Sequence, residues 1–116
     1  MKNDLSDTVI VVTREGMGSG PLELQTRLLS NYLRLLLENN LKPGAFCFYT
    51  DGVKVLAEGS PVLELFQALE QRGVRLIVCK TCLDYFGLTE KLRVGLIGGM
   101  GDIQAAQVMA SKVIPL

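Results

Sequence analysis

Residues 76–88 read Leu76-Ile77-Val78-Cys79-Lys80-Thr81-Cys82-Leu83-Asp84-Tyr85-Phe86-Gly87-Leu88. An apolar run typical of a buried β-strand leads directly into a Cys-x-x-Cys pair. The segment after the pair is long enough for one or two helical turns. A candidate reactive thiol therefore lies where a strand ends, and the rest of the chain is interpreted from this point.

The reactivity of such a pair depends on thiol ionisation, because the thiolate is the nucleophile and a nearby cation or helix N-terminus lowers its pKa. Thr81 is predicted to cap a helix that begins at Cys82, so that backbone N–H groups point toward both sulfurs. Lys80 adds a positive charge between them. If Cys79 is simply the last buried residue of the strand, its pKa rises and it is inert. The spacing of the pair favours the reactive interpretation.

Length and composition predict a single domain over residues 1–116 with a core of its own. Apolar residues make up 48% of the chain, and 12 basic side chains balance 12 acidic ones. This composition is not that of a disordered chain or of a protein that binds polyanions. Nucleic acid is therefore not an expected partner.

Cysteine and histidine content limits the available chemistry. The chain has three cysteines and no histidine, which excludes Ser-His-Asp and Cys-His mechanisms. The thiols of Cys47, Cys79 and Cys82 are one short of a four-cysteine zinc site, so neither a metal nor a cofactor is expected. Cys47 lies in the middle of a predicted strand and is interpreted as a core residue.

No segment predicts a membrane span or secretion. Charges or glycines interrupt every apolar run within a few residues, and the N-terminal Met1-Lys2-Asn3-Asp4 has no apolar signal core. A cytoplasmic protein is expected, and in that compartment unpaired cysteines favour a reactive thiol over a structural disulfide.

Alternating strand and helix patterns predict an α/β fold. Residues 8–13 form a continuous β-branched run, which is typical of a central strand buried on both faces of a parallel sheet. Further strands are predicted at 45–49, 74–79, 94–97 and 112–114, the last at a sheet edge. Helices are predicted at 21–38, from Ser60-Pro61 to Gly73, after Cys82, and from Asp102 to about Ala110. The segment Val53–Ala57 is ambiguous. The sum is a three-layer α/β/α domain with a mainly parallel sheet of about five strands.

The first predicted helix has more apolar surface than one sheet contact requires. Its second stripe contains Leu24, Leu28 and Leu35. This stripe is either squeezed between the sheet and a neighbouring helix or exposed as a subunit interface.

Four loops are predicted to share one rim, because the carboxyl ends of parallel strands meet at one edge of a sheet. They are the loop 16–20, the turn Thr50-Asp51-Gly52, the cysteine pair and the loop 98–101. The glycines of the first and last loops match neither a dinucleotide fingerprint nor a phosphate-binding loop. They are interpreted as mobile walls of the cysteine site. Met17 and Met100 are either soft apolar contacts in those walls or, as the better interpretation, ordinary core filling.

These residues resemble the DsrE-like domain of YedF-type proteins, which are sulfurtransferase-like and linked to selenium metabolism. The matching segments are Val78 to Leu88, Glu90 to Gly95, Gly16 to Gly20, Gly52-Val53-Lys54, Glu58 to Val62, and Met100 with Asp102-Ile103. The chain departs from the family pattern where Lys80 replaces a glycine. Many relatives carry an N-terminal SirA/TusA-type sulfur-carrier domain; none is expected within these 116 residues, so either a separate partner supplies it or this chain acts differently.

The resemblance implies a persulfide carrier at the end of the third strand, here Cys79. Cys82 would resolve the persulfide or hydrogen-bond the sulfur. It also implies homo- or hetero-oligomers, sulfur-donor and acceptor partners, and a SirA/TusA-like carrier as a separate partner. The residues expected to support the pair are Lys80, Thr81, Tyr85, Met17, Gly18, Asp51 and Met100.

Three functions are compatible with the sequence. The leading one is a sulfur-relay protein that accepts and passes a sulfane sulfur, or selenium, through Cys79. The second is a Cys-x-x-Cys dithiol oxidoreductase or peroxide-reactive thiol protein. The third is a non-enzymatic oligomeric binding subunit.

Overall fold

The structure, a computed structural model, describes residues 4–116. Met1-Lys2-Asn3, on which the prediction about a signal peptide partly rests, lie outside the described residues. The strands are β1 Thr8–Val12, β2 Ala45–Phe48, β3 Arg75–Cys79, β4 Leu96–Gly98 and β5 Lys112–Pro115. The α-helices are α1 Leu22–Glu38, α2 Leu63–Gln71, α3 Lys80–Tyr85 and α4 Met100–Met109. Two 3-10 helices span Thr50–Leu56 and Thr89–Lys91.

All five strands form one parallel sheet in the order β4-β3-β2-β1-β5. The predicted α/β fold is confirmed, and so is the edge position of the last strand. β1 is an interior strand, paired on both sides, and each of its five residues is buried. Its unbroken β-branched run fits this position, because a strand covered on both faces needs no polar alternation.

The two faces of the sheet are covered by different helices. Phe66 of α2 makes edge-to-face contacts with Phe46 and Phe48 of β2, with ring centroids 5.4 and 5.1 Å apart. The residue between those two, Cys47, points to the opposite face, because side chains alternate along a strand. Cys47 pairs there with Ile77, on the face that α4 covers. The sheet therefore lies between two helical layers.

Several predicted element boundaries are wrong. Ser60 Oγ does accept a hydrogen bond from the Val62 N–H (3.3 Å), but the regular helix begins only at Leu63. The strand predicted from Val94 begins at Leu96, because Gly95 adopts a left-handed backbone (φ +97°) and donates its N–H to Glu70.

Asp102 does not cap the last helix as predicted. The cap is Gly99, and Asp102 lies at the third helical position, where its carboxylate accepts the Gly99 N–H at 2.9 Å. The carboxylate still satisfies a helix-end N–H group, but from inside the helix. The ambiguous segment Val53–Ala57 falls largely within the 3-10 helix at Thr50–Leu56.

Helix α1 has one buried and one exposed apolar stripe. Leu29, Leu33 and Leu36 are buried against the core, whereas Leu24, Leu28 and Leu35 are 46%, 41% and 54% exposed. The interpretation that the second stripe is squeezed between the sheet and a helix is therefore wrong for the single chain. Its use as a subunit interface stays a prediction.

The helices of residues 4–116 are too short or too polar to cross a bilayer.

Candidate functional site

The cysteine pair lies at the junction of β3 and α3. Cys79 is the last residue of β3 and the residue that precedes α3, and it is only 2% exposed. Cys82 lies one helical turn later and is partly exposed. Their side chains are within hydrogen-bond reach of each other. Of the two sulfurs, Cys82 is the one that an external reactant can approach.

The structure differs from the roles predicted for Thr81 and Lys80 beside the pair. Helix α3 begins at Lys80 instead of Cys82, so Thr81 lies inside the helix, exposed, and is not its cap. The Lys80 ammonium lies 2.7 Å from the Asp84 carboxylate one turn ahead. Its charge is therefore already neutralised by a neighbour on the helix surface.

A backbone N–H group after the neighbouring strand binds the Cys82 sulfur instead. The Thr50 N–H, just beyond β2, donates a hydrogen bond to Cys82 Sγ at 3.1 Å. Thr50 has a left-handed backbone (φ +49°), which is unfavourable for a β-branched residue. Its hydroxyl lies 2.8 Å from the Thr13 carbonyl and 2.7 Å from the Tyr49 carbonyl, so it can donate to either. This tether holds the strained conformation that directs the amide at the sulfur.

Contacts link the carboxyl ends of four strands at this point. The Thr50 hydroxyl reaches the carbonyl of Thr13 after β1, and the Thr50 amide reaches Cys82 beyond β3. Cys79 pairs with Gly98 at the end of β4. The turn at Thr50, the cysteine pair and the end of β4 are thus adjacent, as predicted, whereas none of these contacts involves residues 16–20.

The pKa of the Cys82 thiol is raised above its ordinary value. Burial is the largest cause, and the hydrogen bond and negative charge of Cys79 raise it further, while the Thr50 amide lowers it. The sequence predicted an acidic thiol, and for Cys82 this expectation is wrong.

Asp51 belongs to a charged cluster next to Thr50, in which its ion-pair partner is Lys54. The Lys54 ammonium lies 2.8 Å from Asp51 and 3.4 Å from Glu15, and 4.3 Å from the centre of the Phe86 ring. These carboxylates raise the pKa of Lys54, with the Asp51 hydrogen bond as the largest cause. The cluster fastens the Thr50–Leu56 helix to the segment after α3. Sequence reasoning did not find the contacts of Lys54 and Phe86.

The remaining residues that were predicted to support the pair differ in their exposure. Met17 is half-buried against the core, and Gly18 is exposed with φ +76°. Met100 opens α4 and is 55% exposed, so it is not ordinary core filling. Tyr85 on α3 is 83% exposed and makes an edge-to-face contact with Phe86. The structure gives no direct contact between these four residues and the sulfurs.

Cys47 is fully buried, which confirms its interpretation as a core residue. Burial raises the pKa of its thiol to about 11, against a smaller lowering by the charge of Arg75. Within residues 4–116, no three side chains of histidine, cysteine, aspartate or glutamate converge to hold a metal ion.

An open groove of about 520 Å³ runs beside the charged cluster. Glu15, Lys54 and Phe86 line it together with Leu22 and Pro61. It brings a mixed apolar and charged surface next to the segment that positions Thr50.

Comparison with known proteins identifies the family. The DsrE/DsrF-like family matches residues 17–116, which is most of the chain. The chain belongs to the DsrE/DsrF-like family. Among solved structures, the YchN protein of E. coli is similar with a TM-score of 0.69 and 25% identity. Protein MTH1491 of Methanobacterium thermoautotrophicum, described as of unknown function, is similar in fold with a TM-score of 0.67 and 23% identity.

Each comparison covers 94% of this chain and 97% of the other chain. A comparison with curated proteins gave no match. The DsrE/DsrF-like family is associated with sulfur relay, and the cysteine pair lies within the matched residues.

Proposed function

We propose that this DsrE/DsrF-like protein is a sulfur-relay protein that receives a sulfane sulfur on its Cys79/Cys82 pair and passes it to an acceptor thiol. The observation that carries the proposal is the pair itself: two free thiols within hydrogen-bond reach, one of them accessible, at the carboxyl rim of the sheet. Family membership supports the same chemistry. The absence of histidine from the chain agrees with a reaction that needs only sulfur nucleophiles.

The reaction consists of two thiol exchanges. A cysteine thiolate attacks the outer sulfur of a donor persulfide; the new S–S bond forms as the donor S–S bond breaks, and the donor leaves as a thiolate. The acceptor thiolate then attacks the outer sulfur of the protein persulfide and releases the cysteine thiolate. Neither step requires an oxidant or a cofactor.

A two-stage transfer assay tests this function. The protein is loaded with glutathione persulfide and separated from small molecules. It is then mixed with an acceptor that carries a free thiol, such as reduced cysteine. We expect about one sulfane sulfur per chain to be released to the acceptor, because one pair offers one carrier site. A protein that gains sulfur but never releases it would contradict a relay.

The finer assignment to the YedF type, with selenium as an alternative cargo, is also a proposal. It is supported by the motif around the cysteines and by the Gly16–Gly20 loop. A SirA/TusA-like carrier is the proposed protein partner, and the exposed leucine stripe of α1 supports a homo-oligomer. Comparing sulfur transfer with selenium transfer from matched donors would decide the cargo.

A dithiol oxidoreductase is the second candidate, and the hydrogen-bond proximity of Cys79 and Cys82 favours it. A disulfide between them would close a very short loop across a strand–helix junction. Equilibration with glutathione buffers separates the two functions. A disulfide that cycles readily without any sulfur adduct would support redox work and contradict the relay.

A further inference from the structure

We propose that Cys82, not Cys79, is the sulfur that first receives the sulfane atom, and that the Thr50 amide is the donor that holds negative charge on it. This inference rests on the proposed relay function. It reverses the order of the two cysteines that the family resemblance implies.

Accessibility is the first observation. A donor persulfide must approach the attacking sulfur in line with its own S–S bond, which requires open space beside that sulfur. Cys79 is 2% exposed at the end of a strand, whereas Cys82 is partly exposed on α3. Only Cys82 meets this requirement without a movement of the chain.

Charge stabilisation is the second observation. The Thr50 N–H lies 3.1 Å from Cys82 Sγ, and its position is fixed by a strained backbone and a tethered hydroxyl. A preorganised donor stabilises charge without reorganising during the reaction. Cys82 Sγ is negative before it attacks the donor. It becomes negative again when the acceptor takes the outer sulfur and Cys82 is released as a thiolate. The same amide therefore acts in both half-reactions.

Other charged groups on the packed elements are already paired. On α3, Lys80 is paired with Asp84, and on the 3-10 helix Asp51 is paired with Lys54. From β3, the Cys79 thiol is a titratable neighbour within hydrogen-bond reach of Cys82. Cys82 is the partly exposed sulfur and the one that has the Thr50 N–H donor, and these two features support a negative charge on it.

Single-cysteine variants test the order of the two sulfurs. Full-length C79S and C82S are exposed to glutathione persulfide, and the adduct is located by peptide mass spectrometry. We expect C79S to gain one sulfur on Cys82, and C82S to load at least about tenfold more slowly because its buried thiol lacks access and donor. Loading of C82S on Cys79 while C79S stays unloaded would overturn the assignment but leave the relay intact. If neither variant nor the wild type gains sulfur, both the relay and the assignment are wrong.

Variants at Thr50 test the amide. T50G and T50V both lose the hydroxyl, but glycine adopts positive φ freely, whereas valine is β-branched and strongly disfavours it. We expect T50G to load close to the wild-type rate and T50V at least about tenfold more slowly, since a hydrogen bond to a charged group is lost. Equal rates for the two variants would contradict a role of the amide. Circular dichroism and thermal melting confirm that both variants fold.

An NMR titration tests the amide independently of sulfur loading. In C79S, the residue 50 amide proton is expected to shift downfield with the same midpoint as Cys82 alkylation, and this shift should be absent from C82S. A residue 50 amide that does not respond to Cys82 ionisation would overturn the proposal.

Discussion

The thiols of this protein differ because of what surrounds each sulfur. Cys47 is enclosed by apolar side chains of the sheet, Cys79 is buried at a strand end, and Cys82 has both solvent and the Thr50 amide. Burial raises the pKa of Cys47 and of Cys82; the charge of Arg75 opposes it at Cys47, and the Thr50 amide opposes it at Cys82. Reactivity at this site therefore depends on position more than on acidity.

The raised pKa of the buried Cys47 thiol predicts that the folded protein loses stability at high pH. The pKa of this thiol in the folded chain is about 11, against an ordinary value of 9.0, so the unfolded chain loses this proton first. Its contribution to stability is complete below pH 9 and is lost as the pH rises toward 11, by about 2–3 kcal/mol. Urea unfolding of wild type and C47A at pH 8 to 11 measures this difference. A wild-type curve that runs parallel to that of C47A would contradict it.

The raised pKa of Cys82 predicts the pH dependence of its reactions. The thiolate fraction is small at neutral pH and grows as the pH rises through the raised pKa, so alkylation and sulfur uptake are expected to accelerate into alkaline solution. In C79S the midpoint should move down, because the charge and hydrogen bond of Cys79 raise the pKa of Cys82. C47A serves as the control and should leave the midpoint unchanged. A midpoint below the ordinary thiol value in wild type would contradict the account.

Sequence reasoning found the two cysteines but not the group that holds one of them. Cys-x-x-Cys is visible in the sequence because the chemistry belongs to side chains. Nearly every residue has a backbone N–H group, so the sequence does not mark the one that binds Cys82. The Thr50 N–H is directed at Cys82 by a left-handed φ and by the hydrogen bond of the Thr50 hydroxyl to the Thr13 carbonyl. A threonine beside Asp51-Gly52 indicated a turn and nothing more specific.

At the scale of elements, the packing of the Thr50–Leu56 3-10 helix against β1 controls the site. A Cβ added at Gly52 would lie 2.0 Å from the Val12 carbonyl oxygen, so no side chain fits there. This close approach sets how near the helix, and with it Thr50, lies to the strand ends.

G52A is expected to lower the free energy of unfolding by about 2 kcal/mol or more, because a backbone atom must shift to accept the methyl group. It should also slow alkylation of Cys82 by displacing the Thr50 amide. G44A is the matched control: its Cβ would clash with the Ser6 carbonyl, but Gly44 precedes β2, at the opposite end of that strand from Thr50. Chemical denaturation and alkylation kinetics are measured for both. Equal effects on Cys82 would contradict a specific role of the Gly52 contact.

Because Lys80 is paired with Asp84, removing its charge is expected to have little effect on the ionisation of Cys82. Both side chains are more than half exposed and already neutralise each other, so K80A should change the alkylation midpoint of Cys82 by no more than about 0.3 pH units. D84N, which frees the ammonium, is the control and should lower the midpoint. A large upward shift in K80A would show that Lys80 supports the thiolate after all.

The positions of the strands were predicted more accurately than the starts of the helices. Apolar runs long enough to be buried on both faces located β1, β2 and β3 within a residue or two, because burial dictates their composition. Helix starts depend on local hydrogen bonds that compete with each other. Cys79 precedes α3 in place of Thr81, and Gly99 caps α4 in place of Asp102, since the chain enters each helix directly from a strand end.

At the scale of the whole molecule, one chain leaves apolar surface uncovered. Leu24, Leu28 and Leu35 form an exposed stripe on α1. The sequence showed that this helix had too much apolar surface, but it could not show which side faces the sheet. The fold answers that question and leaves the stripe as the proposed subunit interface.

L28E is expected to shift the protein to a smaller assembly, because a charge in an apolar interface is desolvated without a partner. Q104E on α4 adds the same charge at an exposed polar position and is the control. Light scattering after size exclusion gives the mass of each. An unchanged mass for L28E, or a monomeric wild type, would contradict the interface on α1.

Mass spectrometry of the wild type beside C79S/C82S tests the central claim most directly. Both proteins are treated with glutathione persulfide, and the position of any added sulfur is mapped. The account predicts one added sulfur on the peptide that holds Cys79 and Cys82, and none in the double variant, where only buried Cys47 remains. A wild type without added sulfur, or a double variant that gains as much, would contradict it.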